Sequence, residues 1–314
     1  MERAKGMVRM KVLISGASMA GLSAAYWFAR AGAEVTVLEQ HHEARRGGAP
    51  IDVRGAALET AERMGILDEV RRQRVGQAAS GPVLRADGNV VATIDLSWFS
   101  NETADDVEIS RDRLLNLLMG AVGDRAEFRF GTSLQSLRQD AEGAWVRSTG
   151  GGDERFDLVV GADGLHSTTR RLAFGPEADY VVHQGYYVAL IGLDPDQSWQ
   201  QAMYSVPGRT VSVRDVGDGP FAFLLARHDV IDYDYRDLAG QRKLVNSLFD
   251  LGEVWELPRI RAAFADEASP GFYFDSVSQT RMSSWSRDRV VLVGDAAHCA
   301  SLLSGMGTAL AMTA

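Results

Sequence analysis

A parallel-sheet α/β fold with an inserted, mostly antiparallel second lobe is what this 314-residue sequence predicts, and three observations predict it. The stretch from Lys11 to Gln40, KVLISGASMAGLSAAYWFARAGAEVTVLEQ, reads as strand, glycine turn, helix and strand. Two later apolar strands also run into turns of glycine and aspartate, FDLVVGADG and RVVLVGDAAH. Between those two, from about Pro176 to Gly271, the pattern changes to strand-like runs, the mark of an antiparallel lobe.

Val12, Leu13 and Ile14 form an unbroken apolar run, as a strand buried on both faces requires. Gly16 permits the sharp turn into a helix, and such a turn aims free backbone N–H groups at a pyrophosphate. Leu22, Ala25, Tyr26 and Ala29 recur at helical spacing, Gly32 ends the run, and Glu34 to Leu38 supplies the second, parallel strand. The glycine pattern is Gly16, Ser18, Gly21, so a serine stands where the second glycine usually lets the backbone approach a phosphate. Glu39 falls about 20 residues on, where a ribose diol belongs, and its charge would repel a 2′-phosphate. The ligand expected here is therefore an adenosine dinucleotide without that phosphate, and FAD and NAD both qualify.

HHEARR then leads into GGAPIDVRG, a loop shaped to pass around a ligand. Arg45 and Arg46 form either a solvated basic corner or a contact for phosphate or nicotinamide, and Asp52 is equally open between surface and site. A helix follows from Ala56 towards Met64. The run from Pro82 to Leu96 alternates and turns at Asp87-Gly88, which predicts a hairpin interrupting the first domain. EISRDRLLNLLMGAV reads as a helix from about Arg111, with Leu114, Leu115 and Leu118 facing a core. Arg111 is either an exposed helix residue or long enough to reach dinucleotide phosphates.

Strands around Glu127 to Phe130, Leu134 to Gln139 and Ala144 to Ser148 are read as an antiparallel meander. The chain returns through a strand ending at Val160, a turn with Gly161, Asp163 and Gly164, and a helix beginning near Ser167. Polar groups there lie at a strand's carboxyl end, where open α/β sheets bind ligands. In the second lobe, Tyr186 to Ile191, Thr210 to Val213 and Phe221 to Ala226 are strands, and Leu238 to Phe249 is a helix. Tyr186, Tyr187, Met203, Tyr204, Phe221 and Phe223 are either an aromatic substrate pocket or core. The last strand meets Gly294-Asp295 and a second glycine-rich helix entry. The resulting division is 10–75, 103–175 and 272–314 for the dinucleotide-binding domain and 76–102 and 176–271 for a substrate domain.

Composition removes several classes of function. Hydrophobic residues at 46% and charged residues at 24% describe a globular chain with no apolar run of membrane-spanning length. MERAKGMVRMK is not a secretory signal, and a cytoplasmic protein without membrane association is expected. A net charge of -9 argues against nucleic-acid binding. Cys299, the one cysteine, rules out an internal disulfide. The six histidines show no metal-ligand spacing, so no metal is expected. No G-x-S-x-G elbow is present to support hydrolase chemistry.

Taken together, GASMAG with Glu39, Arg111 in an R-x-x-L helix start, GADGLHSTTR at Gly161 to Arg170 and GDAAH at Gly294 to His298 resemble a known family. It is that of the single-component, FAD-dependent aromatic hydroxylases of the para-hydroxybenzoate hydroxylase fold, and within it the tetracycline-modifying and polyketide-tailoring monooxygenases. The resemblance covers nearly the whole chain. It implies a Rossmann-like FAD-binding domain with an inserted substrate domain. It implies that Glu39 binds the adenosine ribose, Arg111 the phosphate region and Asp295 the ribityl chain, with Asp163 near pyrophosphate and nicotinamide. Gly305 and Gly307 would open a helix aimed at the pyrimidine edge of the flavin.

The implied reaction uses NADPH or NADH to reduce FAD, and O2 then adds to the reduced ring. The resulting hydroperoxide hydroxylates an aromatic or polyketide-type small molecule, or carries out the Baeyer–Villiger or epoxidation variants. The cofactor supplies that chemistry, so no catalytic side chain is assigned. The protein is expected to be a monomer or homodimer. A proline common in the family after GDAAH is replaced by the run Cys299 to Leu302, which predicts a less rigid loop. Family members continue past the last helix, so a truncated representative with a frayed end and partly uncovered hydrophobic surface is expected.

A flavin halogenase is the nearest enzymatic rival, but Trp27, Trp98, Trp145, Trp199, Trp255 and Trp285 never fall two apart as W-x-W-x-I-P demands. A simple NAD-dependent dehydrogenase explains neither GADG nor GDAAH. An impaired FAD-binding paralogue, acting as a flavin-binding or assembly protein, is the alternative of a different class.

Overall fold

The computed structural model describes residues 9–43, 49–76, 80–95, 105–215, 217 and 219–313. Strand β1 (Lys11–Ser15) is buried at every position after Lys11, and α1 (Met19–Arg30) returns the chain to the parallel strand β2 (Glu34–Glu39). Next come β3 (Ile51–Val53), α2 (Ala56–Met64), α3 (Leu67–Arg72) and the hairpin of β4 (Ser80–Leu84) with β5 (Val90–Asp95). Strand β6 (Val107–Ile109) pairs antiparallel with β3, and α4 (Arg111–Val122) buries Leu114, Leu115 and Leu118 in the same core as Ala25 of α1.

The chain continues as β7 (Ala126–Phe130), β8 (Leu134–Gln139), β9 (Ala144–Ser148), β10 (Asp153–Phe156), β11 (Leu158–Gly161) and α5 (Thr168–Ala173). The second lobe holds β12 (Val181–Gly192), β13 (Ala202–Val206), β14 (Arg209–Asp215), β15 (Pro220–Arg227), α6 (Leu238–Leu248), α7 (Leu257–Ala265) and β16 (Tyr273–Thr280). The described chain ends with β17 (Ser286–Arg287), β18 (Val290–Leu292), α8 (Asp295–His298) and α9 (Gly307–Thr313).

The six-stranded sheet has the order β17-β18-β11-β1-β2-β7, and every pair but the β17–β18 edge is parallel. Apolar runs such as Val12 to Ile14 and Val159 to Val160 are sealed on both faces, with α1 and α4 packing their Ala25, Leu114 and Leu118 against one of them. Residues 126–130 do not belong to the antiparallel meander that the sequence predicts, because β7 pairs parallel with β2. The strand follows α4, and a helical crossover delivers a strand parallel to its neighbour. The meander is β8-β9-β10, its third strand supplied by Asp153–Phe156 beyond the triple-glycine turn.

The seven-stranded sheet has the order β16-β12-β15-β14-β13-β4-β5, antiparallel except where β4 lies beside β13. Tyr273–Thr280 pairs along β12 and so forms the edge of this sheet, although it falls within the 272–314 segment of the sequence division. On one face Tyr187, Tyr204, Val211 and Leu224 form a core with α6 and α7. The tyrosines 187 and 204 are therefore packing residues. Alternation along the strands puts Tyr186, Met203, Phe221 and Phe223 on the other face, half-buried and away from those helices.

Helix α9 packs on α1 and α2 through Ala309 and Met312. An apolar cavity of 530 Å³ opens beside it, lined by Trp27, Phe28, Val160, Val291, Val293 and Met312 among others. No helix among the described residues is long and apolar enough to cross a membrane.

Candidate functional site

The registers of the parallel sheet bring its strand ends level. Ser15 lies beside Leu38 and Gly161, and Gly161 beside Leu292, so the three motif turns all leave from one carboxyl edge. That edge is where open α/β sheets hold ligands.

Gly16 takes φ 106°, and a Cβ there would come within 2.4 Å of the Ala162 carbonyl oxygen. Its hydrogen side chain lets the first turn press against the GADG turn. Gly21 is equally confined, because a Cβ would meet the Gly16 carbonyl oxygen, which fixes the start of α1 against the turn. Ser18 sits at the helix N-cap with extended backbone (φ -97°, ψ -171°), a conformation open to any residue, so serine replaces glycine there without strain. Its hydroxyl lies against the Met19 sulfur at 3.4 Å instead of capping the helix.

Glu39 ends β2, half-buried, and reaches back to the glycine turn. Its Oε2 accepts from the Ala17 N–H and its Oε1 from the His41 N–H, each at 3.0 Å. A carboxylate has about four acceptor positions, so two remain for hydroxyl donors. Arg111 opens α4 and is half-buried. Asp52 lies on β3 in an ion pair with Arg54, whose guanidinium approaches Gly305. Arg46 and Arg45 lie outside the described residues.

Asp163 is turned inward. Its carboxylate accepts from the Ser167 hydroxyl, from the Thr169 N–H at 2.8 Å, from the Thr169 hydroxyl at 2.9 Å and from Ser15 at 3.4 Å. Ser167 in turn accepts from the Arg170 N–H and caps α5. Asp163 thus shapes the turn with its side chain, while its backbone abuts Gly16.

Gly294 (φ 58°) sits against Ala20 of α1 and launches α8. Asp295 begins that helix, open to solvent on one side and crowded by protein on the others; the crowding raises its carboxyl pKa, against the opposing effects of Cys299 and His298. Burial pushes the Cys299 thiol up to about 12, and the thiol is directed at the Ser278 carbonyl. His298 packs its ring 4.9 Å from that of Trp285. In the loop that follows, Ser301 takes φ 90°, and Gly305 lies in the left-handed region before Gly307 starts α9. The loop lacking the proline is held in a strained conformation.

Several residues escaped the sequence reading. Arg170 is fully buried and donates to the carbonyls of Ala296 at 3.0 Å and Leu165, with Glu177 beside it at 3.4 Å. Burial lowers its pKa and Glu177 opposes that. His166 lies between Glu177 and Asp275, and Thr280 donates to the Asp295 carbonyl at 2.8 Å. Asp275 is a carboxylate at an inward position of a strand, a signal available in YFDSVSQT; Arg170 was legible only as the last residue of GADGLHSTTR, without its burial.

The sequence profile described as FAD binding domain matches residues 9–190. A flavin-dependent monooxygenase of Legionella longbeachae is 32% identical over 96% of this chain and 77% of its own length. An uncharacterized Mycobacterium tuberculosis protein is 38% identical over 96% of this chain and 82% of its own. The crystal structure of tetracycline destructase Tet(51) superposes with TM-score 0.86 and 31% identity, covering 97% of this chain and 79% of that one. Klebsiella pneumoniae HpxO, solved with FAD and uric acid, shares the fold at 24% identity and TM-score 0.68. The level strand ends, the three glycine turns and these matches agree: the chain belongs to the FAD-binding monooxygenases of the para-hydroxybenzoate hydroxylase fold.

Proposed function

We propose that this flavin-dependent monooxygenase takes electrons from NADH or NADPH and inserts one atom of O2 into an aromatic or polyketide-type small molecule. The observation that carries this reading is the convergence of the Gly16 turn, Glu39 and Asp295 on one edge of the parallel sheet, in a chain 31% identical to a tetracycline destructase. Bound FAD supplies the oxygen chemistry. In this reading Glu39 holds the adenosine ribose with its two remaining acceptor positions, Arg111 meets the phosphates, and Asp295 accepts from the ribityl hydroxyls. Asp52, Gly305 and Gly307 border the ring end, and Asp163 supports the pyrophosphate turn from behind.

The half-buried Tyr186, Met203, Phe221 and Phe223, on the sheet face turned away from α6 and α7, offer apolar and aromatic surface suited to a ring system. Their role is to exclude water and orient the substrate. The test is to reconstitute the protein with FAD and follow NADH and NADPH oxidation and O2 uptake against a panel of phenols and polyketides. Oxidation stimulated by one compound, with a product heavier by one oxygen, is the expected outcome. Tight FAD binding without stimulation by any compound would favour the flavin-binding paralogue.

A further inference from the structure

His166 stands in the turn between β11 and α5, and its two ring nitrogens each face a carboxylate. Nδ1 is 2.9 Å from Glu177 Oε1 and Nε2 is 3.2 Å from Asp275 Oδ1. Ionised carboxylates only accept, so both nitrogens must donate, and only the imidazolium does that. The ring stacks on Tyr235 at 4.2 Å, with Arg236 over that tyrosine. Tyr233, Tyr273 and the Ser276 N–H donate to Asp275, and Arg170 is the second cation beside Glu177.

Following these contacts outward closes a circuit. Glu177 holds Arg170, and Arg170 donates to the Ala296 carbonyl in α8. Asp275 lies on β16, and Thr280 of the same strand donates to the Asp295 carbonyl and hydrogen-bonds the Cys299 carbonyl through its N–H. The turn that carries Asp295 is therefore gripped from two sides, and His166 is the link that joins the two grips.

We propose that His166 is a positioning residue for the flavin site: held between Glu177 and Asp275, it closes a ring of hydrogen bonds that fixes Asp295 at the sheet edge. The inference rests on the reading of that edge as the FAD site. The two carboxylates hold the imidazole pKa up, at about 9, against the burial that would lower it. Deprotonation leaves one ring nitrogen facing a carboxylate lone pair with lone pair, so the ring opens as pH rises through about 9.

The test is an FAD titration, read by quenching of flavin fluorescence between pH 6 and pH 10, on the parent, His166→Gln and Glu177→Gln. The parent should bind evenly at low pH and weaken as pH passes about 9. His166→Gln should bind about tenfold more weakly at neutral pH, a loss of about 1.4 kcal/mol, and show no such fall. Removing one carboxylate in Glu177→Gln should move the fall to lower pH, a shift that loss of packing alone would not produce. Parental affinity and profile in His166→Gln would overturn the inference and leave the flavin reading intact. If His166→Gln does not fold, as judged by circular dichroism, an unmoved midpoint in Glu177→Gln overturns it instead. A parent that binds no FAD at any pH overturns the flavin reading and this inference with it.

Discussion

A carboxylate that already accepts two backbone N–H groups is oriented before any ligand arrives, and Glu39 is in that state through Ala17 and His41. Pre-orientation saves a ligand the entropy of ordering a rotamer-rich side chain, so the two remaining acceptor positions are well used. Hydrogen bonds to a charged group are each worth about 1.5–3 kcal/mol. Glu39→Ala should therefore weaken FAD binding by about 10- to 100-fold in a fluorescence titration. Asp295→Ala should do the same, because this exposed residue stands at the turn that leaves the sheet's carboxyl edge. Unchanged flavin retention after ultrafiltration would remove either residue from the site.

Among the elements, α5 shows how a carboxylate's direction is decided. The acid of a GADG turn reads in sequence as a ligand contact, yet Asp163 spends its acceptors on Ser167, Thr169 and Ser15. A six-residue helix cannot hold itself in water, and these bonds fix its first turn. Asp163→Ala should cost about 2 kcal/mol in a urea unfolding experiment, by stranding donors that the fold has buried. Asp163→Asn should recover part of that. The glycine turns, α1, α4 and the Asp87-Gly88 hairpin were legible because spacing within one segment defines them. Strand β7 was not, since alternation does not say which partner a strand will find. Nor was the pairing of His166 with Asp275, two residues 109 positions apart that meet only through tertiary structure.

For the molecule as a whole, stability should depend on pH on both limbs, with the signs set by different groups. Arg129 beside Glu127, and the Lys11 N–H beside Asp157, hold those carboxyls below their usual range, so their contribution is present above the ordinary carboxylate pKa and fades as pH falls. His166 behaves oppositely. Its folded pKa of about 9 lies above the ordinary histidine value of 6.5, so its contribution is complete below 6.5 and is lost as pH rises through about 9. That contribution is of order 1–3 kcal/mol. The melting temperature should fall between pH 7 and pH 10, and the fall should be shallower in His166→Gln. A parent whose melting temperature is flat across that range would show that the His166 contacts contribute nothing to stability.

The strand order of the parallel sheet also bears on how the protein is made. Val159 of β11 finds its outer neighbour only when Val290 of β18 has been synthesised. At about 5–20 residues per second a ribosome needs on the order of ten seconds to cover that interval. For that time β11 presents an unpaired row of amides and carbonyls beside apolar side chains, the kind of edge that recruits other nascent chains. Yield on expression should therefore respond to chaperone supply and to translation speed, even though nothing in the finished fold records that exposure.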